Sequence, residues 1–196
     1  MRFSGFVLKE EISNQNKIIS FYSKEQGVLY ISVQGALRPK SKLAALCLPF
    51  KYLELTVVKG KTSYHLIGGR AKEIYWSIWH SWQKMLISRS IMDDLEKLAG
   101  QGGDAGIINL LQQTFREINK SENKYLMPLL YSFELKLLDK TGYRPDFNLL
   151  KAGAREKKIL KILLKKDYKD IKKYSFLKQD LISAGRILRD FINWQI

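Results

Sequence analysis

The hydrophobic period of this chain changes once, near residue 70, from about two residues to about 3.6. Upstream, short runs rich in β-branched and aromatic residues recur between turn signals: 3-FSGFVLK-9, 17-KIISFYS-23, 28-VLYISV-33, 50-FKYLELTVV-58 and 63-SYHLIG-68. Polar loops, 10-EEISNQN-16, 24-KEQG-27 and 59-KGKT-62, separate them. Leu29, Ile31 and Val33 alternate with Val28, Tyr30 and Ser32, and Leu53, Leu55 and Val57 with Tyr52, Glu54 and Thr56. That is the pattern of half-buried strands. Pro39 and Pro49 bracket 39-PKSKLAALCL-48, which predicts a short helix after the third strand. Five short strands with one helical insert suggest an OB-type barrel over residues 1–70.

Downstream the pattern is helical. Residues 71–100 hold no Pro or Gly before Gly100, so one long helix is expected there. Asp104 is the expected N-cap of 105–120, and Ser121 or Asn123 opens 124–141 with the stripe Leu130, Phe133, Leu137, Leu138. Gly142 stops that helix. A basic helix, 155-REKKILKILLKK-166, follows. Ser175 is the expected cap of the last helix, with the stripe Leu177, Leu181, Ala184, Leu188, Phe191. Residues 71–196 therefore read as an all-α bundle. The whole is an α+β chain of two domains.

Charge narrows the choice of partner. The formal net charge is +15, held in two blocks: net +7 over residues 1–70 and net +8 over 151–178, with a neutral middle. Such a balance favours a polyanion, nucleic acid first and an acidic protein or a membrane surface after it. The single cysteine, Cys47, allows neither a disulfide within the chain nor a thiolate zinc site, and fits a reducing cytoplasm. The start, 1-MRFSGFVLKEE-11, is not expected to be a signal peptide, and no run of about 20 apolar residues predicts a membrane span.

Catalytic chemistry finds no support. His65 and His80 stand far apart, there is no HExxH or GxSxG, and the carboxylates form no recognisable pair. Cys47 reads as a buried small hydrophobe. The stretch 33-VQGALRPKSKLAALCLPF-50 has a Lys-Ser pair like that of a nucleotide-binding loop. Yet the position of the second glycine of such a loop, counted from Gly35, holds Lys40. Pro39 before it has no N–H to offer a phosphate. What remains is Arg38, Lys40 and Lys42, spaced two apart, which suit several backbone phosphates or a solvated loop equally.

The motifs 35-GALRPKSKLAALCLPF-50 and 133-FELKLLDKTGYRPDF-147, in this order after a short barrel, resemble the RecO family of bacterial recombination mediators. The resemblance runs through about residue 193. It implies an N-terminal OB fold and a helical C-terminal domain. It also implies binding of single- and double-stranded DNA and annealing of complementary strands. The partners it implies are RecR, the acidic C-terminal tail of the single-stranded DNA-binding protein and, indirectly, RecA, with no cofactor and no enzymatic step, in the bacterial cytoplasm and at the nucleoid during repair. In several members cysteines after G-Y-x-P bind zinc. Here 142-GYRPDFNLLKAGAREKK-158 has none, so the chain reads as a zinc-less member with no metal.

Read this way, Arg38, Lys40 and Lys42 are the leading phosphate ligands, and Lys9, Lys59, Lys61 and Arg70 are further ones from charge alone. Tyr30 and Tyr52 face away from the barrel core and suit either base stacking or, the stronger reading, packing against the helical domain. Trp76, Trp79 and Trp82 suit a stacking groove or, much the stronger reading, a helix wedged between barrel and bundle. Lys157, Lys158, Lys161 and Lys165 are expected to ring an acidic tail, with more DNA as the second reading and a membrane surface as the third. The rival class is a non-catalytic OB-plus-helix adaptor for acidic proteins, or an RNA-binding module.

Overall fold

The computed structural model describes residues 1–13, 16–61, 63–99 and 102–195. The chain divides into two compact units, Met1–Trp76 with Ala99–Gln112 and Ser77–Leu98 with Gln113–Ile196.

In the first unit five strands close a barrel: β1 (Arg2–Ser13), β2 (Asn16–Ser23), β3 (Gly27–Val33), β4 (Lys51–Lys59) and β5 (Tyr64–Ile74). They follow the order β1-β2-β3-β5-β4 and back to β1, with β3 and β5 parallel and every other pair antiparallel. This is OB connectivity, as the spacing of the strands predicted. Inward residues alternate along each strand, and Phe3, Val7, Ile19, Phe21, Ile31, Leu53, Leu55 and Val57 fill the interior. Cys47 is wholly buried among them, and burial pushes its thiol up to about 11, which fits the small-hydrophobe reading.

Three local expectations need correction. The stretch 10–16 is not a loop: β1 runs through Ser13, paired with β2 as far as Ser13↔Asn16, and Glu10 holds Lys17 at 2.6 Å. Polar residues there mark a hairpin that extends past the core. The insert 39–48 is not a helix beyond one 3-10 turn, Ala44–Leu46. Lys40 sits at φ +65°, a left-handed conformation that interrupts any helix begun at Pro39. Helical structure also starts later than Ala71, because β5 continues to Ile74.

The helices are α1 (Trp76–Trp79), α2 (Trp82–Leu98), α3 (Ala105–Lys120), α4 (Leu126–Lys140), α5 (Ala154–Lys165), α6 (Tyr168–Ile171) and α7 (Lys178–Gln195). Asp104 caps α3 as expected, its Oδ1 accepting from the N–H of Gly106 at 2.5 Å and of Ile107 at 3.3 Å. Gly142 ends α4 at φ +83°, and the Tyr143 N–H turns back onto the Leu138 carbonyl at 2.8 Å. In the second unit α4 is the central helix, packed by α2, α5, α6 and α7. Its stripe Leu130, Phe133, Leu137 and Leu138 is buried, as the spacing predicted.

The single helix expected over 71–100 is broken. Ser81 opens α2, accepting from the Lys84 N–H on its Oγ at 3.4 Å and from the Met85 N–H on its carbonyl at 2.9 Å. The tryptophans therefore share no helical stripe. Trp76 and Trp82 are 63% and 66% exposed, against the expectation that they bury area. At the C-terminal end α7 starts at Lys178 rather than at a Ser175 cap, and Leu177 is exposed while Ala184 and Leu188 are buried. The short helix α6 carried no sequence signal. It forms because the Asp167 carbonyl accepts from the N–H groups of Asp170 and Ile171.

Candidate nucleic-acid interface

Two tight turns carry the basic loop after β3. The Arg38 N–H reaches the Gly35 carbonyl at 3.2 Å, and the Ser41 N–H reaches the Arg38 carbonyl at 3.1 Å. Gly35 permits the first turn at φ +71°. Arg38, Lys40 and Lys42 are all exposed, and among the described residues none has a carboxylate partner. Their charge faces solvent uncompensated, which suits transient neutralisation of a polyanion.

The other basic candidates are more constrained. Lys9, on β1, lies 2.5 Å from Glu11, whose carboxyl is held low chiefly by that hydrogen bond. Lys59 ends β4 and Lys61 follows it, both exposed. Arg70, on β5, contacts Glu54 across the β4–β5 ladder at 3.0 Å, and Lys72 contacts the same carboxylate at 2.7 Å. Hydrogen bonding from Lys72 is the main cause that keeps the Glu54 carboxyl below its usual range. Arg2, Glu54, Thr56, Gly69 and Arg70 line a hollow of about 280 Å³. Sequence reasoning missed Arg2 and Lys72, because only the register Arg2↔Thr56 and Glu54↔Arg70 gathers them.

The two tyrosines differ. Tyr30 is 62% exposed on β3. Tyr52, on β4, is half-buried, its ring centroid 5.4 Å from Phe6 with the Lys72 ammonium 5.9 Å above it. Phe6 in turn stacks on Tyr75 at 6.4 Å.

In the second unit Lys157, Lys158, Lys161 and Lys165 come together. With Lys166, Ile162 and Ala154 they line a hollow of about 510 Å³ along α5. Beyond Lys158 and Ile162 the surface continues into a second hollow of about 290 Å³ walled by Tyr174, Phe176 and Leu177. The connection 142–153 closes without cysteine. Asp146 Oδ1 accepts from the Asn148 N–H at 2.8 Å, the Asp146 carbonyl accepts from Leu149 and Leu150, and Phe147 is buried. Among the described residues no three His, Cys, Asp or Glu side chains gather as metal ligands. No helix of the described residues is long and apolar enough to cross a membrane. His80 is exposed; His65 is half-buried with its Nδ1 unpartnered.

The fold and its surfaces define a class: a basic OB-type barrel followed by a helical unit with a lysine-lined groove. Residues 1–75 match the family model described as Recombination protein O N terminal. The chain is 26% identical to the DNA repair protein RecO of Alkaliphilus metalliredigens, over 74% of this chain and 59% of that protein. It is also 26% identical to the DNA repair protein RecO of Acetivibrio thermocellus, over 74% and 58% of the two chains. A third, the DNA repair protein RecO of a Thermoanaerobacter species, is 26% identical over 80% and 64%. The barrel match and these relatives support the RecO family, as the two sequence motifs indicated. The chain spans about three fifths of the length of the curated relatives it matches.

Proposed function

We propose that this chain acts in DNA repair and homologous recombination by holding single- and double-stranded DNA on its barrel unit. The observation that carries this reading is the exposed trio Arg38, Lys40 and Lys42 on an OB-type barrel, with no carboxylate to neutralise it. Lys9, Lys59, Lys61 and Arg70 extend the basic surface, and Tyr30 and the open part of Tyr52 offer aromatic faces to bases. Annealing of complementary strands needs only that their repulsion be screened, which a chain of net charge +15 does by releasing counterions. No covalent step is required. The relatives' name, DNA repair protein RecO, supports the biological setting.

The α5 hollow supports the second half of the reading. Lys157, Lys158, Lys161 and Lys165 would take the acidic C-terminal tail of the single-stranded DNA-binding protein, coupling the coated strand to RecR and to RecA loading in the bacterial cytoplasm. The same hollow favours the rival reading, an adaptor for acidic proteins that does not pair strands. Annealing of complementary oligonucleotides coated with single-stranded DNA-binding protein separates the two. Faster annealing with the chain present supports the mediator; tail binding without annealing supports the adaptor.

A further inference from the structure

The barrel register gathers, on one outer face, residues that the sequence leaves scattered. Lys9 on β1 pairs with Ser20 on β2, and Ser20 pairs with Tyr30 on β3. Directly paired residues share a face, so the three form one row about 10 Å long, two strand spacings. Its side chains point outward, because Ile19, Phe21 and Ile31 fill the interior. The neighbouring row runs Glu11, Ile18, Ser32 and then, across the parallel β3–β5 pair, His65.

Two polar atoms on this face are buried without a hydrogen-bond partner: Ser20 Oγ, in a residue only 5% exposed, and His65 Nδ1. Ser20 is on β2 and His65 on β5, the two strands that flank β3 and its exposed Tyr30. Buried polar atoms are nearly always paired, so two orphans on either side of an exposed aromatic ring point to an absent ligand. Cation and counter-charge are also in place, since Lys9 stands at the end of the row and its ammonium rests on Glu11.

We propose that the outer face of β3 around Tyr30 seats one unpaired nucleobase of a nucleic-acid strand. The base stacks on the Tyr30 ring, Ser20 and His65 supply polar partners on its two sides, and Lys9 exchanges Glu11 for the adjoining phosphate. This rests on the nucleic-acid reading above and adds to it a stacking position and a competing carboxylate. A flat ring accepts any base face, so the seat sets position along the strand rather than sequence.

The test is binding of a fluorescein-labelled oligothymidylate to the full chain, followed by anisotropy. Tyr30→Leu is expected to weaken binding about five-fold or more, since stacking on one aromatic is worth about 1–3 kcal/mol, while Tyr30→Phe keeps the parent affinity. Glu11→Gln is expected to tighten binding by releasing Lys9. Equal affinity of Tyr30→Leu and the parent, or an equal loss in Tyr30→Phe, would overturn the seat while leaving the nucleic-acid reading in place. Absence of oligothymidylate binding by the parent at low salt would overturn both. Because Tyr30 is exposed, neither variant disturbs the barrel core.

Discussion

Arg189 on α7 places its guanidinium Nη2 3.3 Å from Oε1 of Glu134, a carboxylate only 1% exposed at the centre of α4. Asp94 on α2 is also buried and hydrogen-bonds the same carboxyl. Burial, first, and the neighbouring carboxyl, second, push Glu134 well above its usual range; burial likewise raises Asp94. Lys97 and Asp93 act weakly on Asp94 from the same helix, and Glu134 in turn raises the Tyr131 phenol beside it.

A stability profile follows from that pair. The folded state binds more protons here than the unfolded chain does, so stability falls as pH rises above the ordinary carboxyl range through the raised folded values. Glu134→Gln is expected to flatten that fall between acid and mildly alkaline pH in chemical denaturation. A profile as steep as the parent's would contradict the shared burial.

Arg189→Ala leaves the buried pair without its cation. A loss of about 1–3 kcal/mol at neutral pH is expected, the usual range for a hydrogen bond to a charged group, reduced by the partial exposure of Arg189. Denaturant midpoints at unchanged slope measure it.

Gly185 on α7 packs directly on the Tyr131 hydroxyl, so that a Cβ would overlap the phenol. Gly185→Ala is expected to cost about 1–3 kcal/mol despite the better helix propensity of alanine. A stabilised variant would mean that α7 does not pack on α4 at this point.

Buried hydrogen bonding is tested at Thr114, whose Oγ1 lies 2.5 Å from the Tyr168 hydroxyl. Thr114→Val keeps the shape and orphans the phenol, at an expected cost of about 1–3 kcal/mol. Adding Tyr168→Phe should recover part of that loss, read by thermal or denaturant unfolding of the double variant.

How much of this was legible in the sequence depends on range. The five strands were readable because alternation such as Leu53, Leu55, Val57 is a local property. Asp104 and Gly142 marked helix ends through their own side chain or lack of one. The break at Ser81 was legible in principle, since Ser81 is a capping residue, but the aromatic run around it hid the signal. The loop cations Arg38, Lys40 and Lys42 are neighbours in sequence and were found; so were the lysines of α5, which one helix gathers at steps of three and four. Arg2 with Arg70, and Lys9 with Ser20 and Tyr30, meet only through strand register. A bulge between Val7 and Lys9 shifts that register by one residue, which no alternation pattern in β1 announces.

The central claim is that the loop after β3 grips a nucleic-acid backbone through charge. Its most direct measurement is the salt dependence of oligothymidylate binding for the parent and for Arg38→Ala with Lys40→Gly. Glycine at position 40 removes the charge and also suits the φ of +65°, so the loop keeps its shape. The double variant is expected to bind more weakly at low salt, with a logarithmic salt slope shallower by about 1.4, roughly 0.7 for each lost phosphate contact on a single strand. Affinity and slope identical to the parent's would contradict the account.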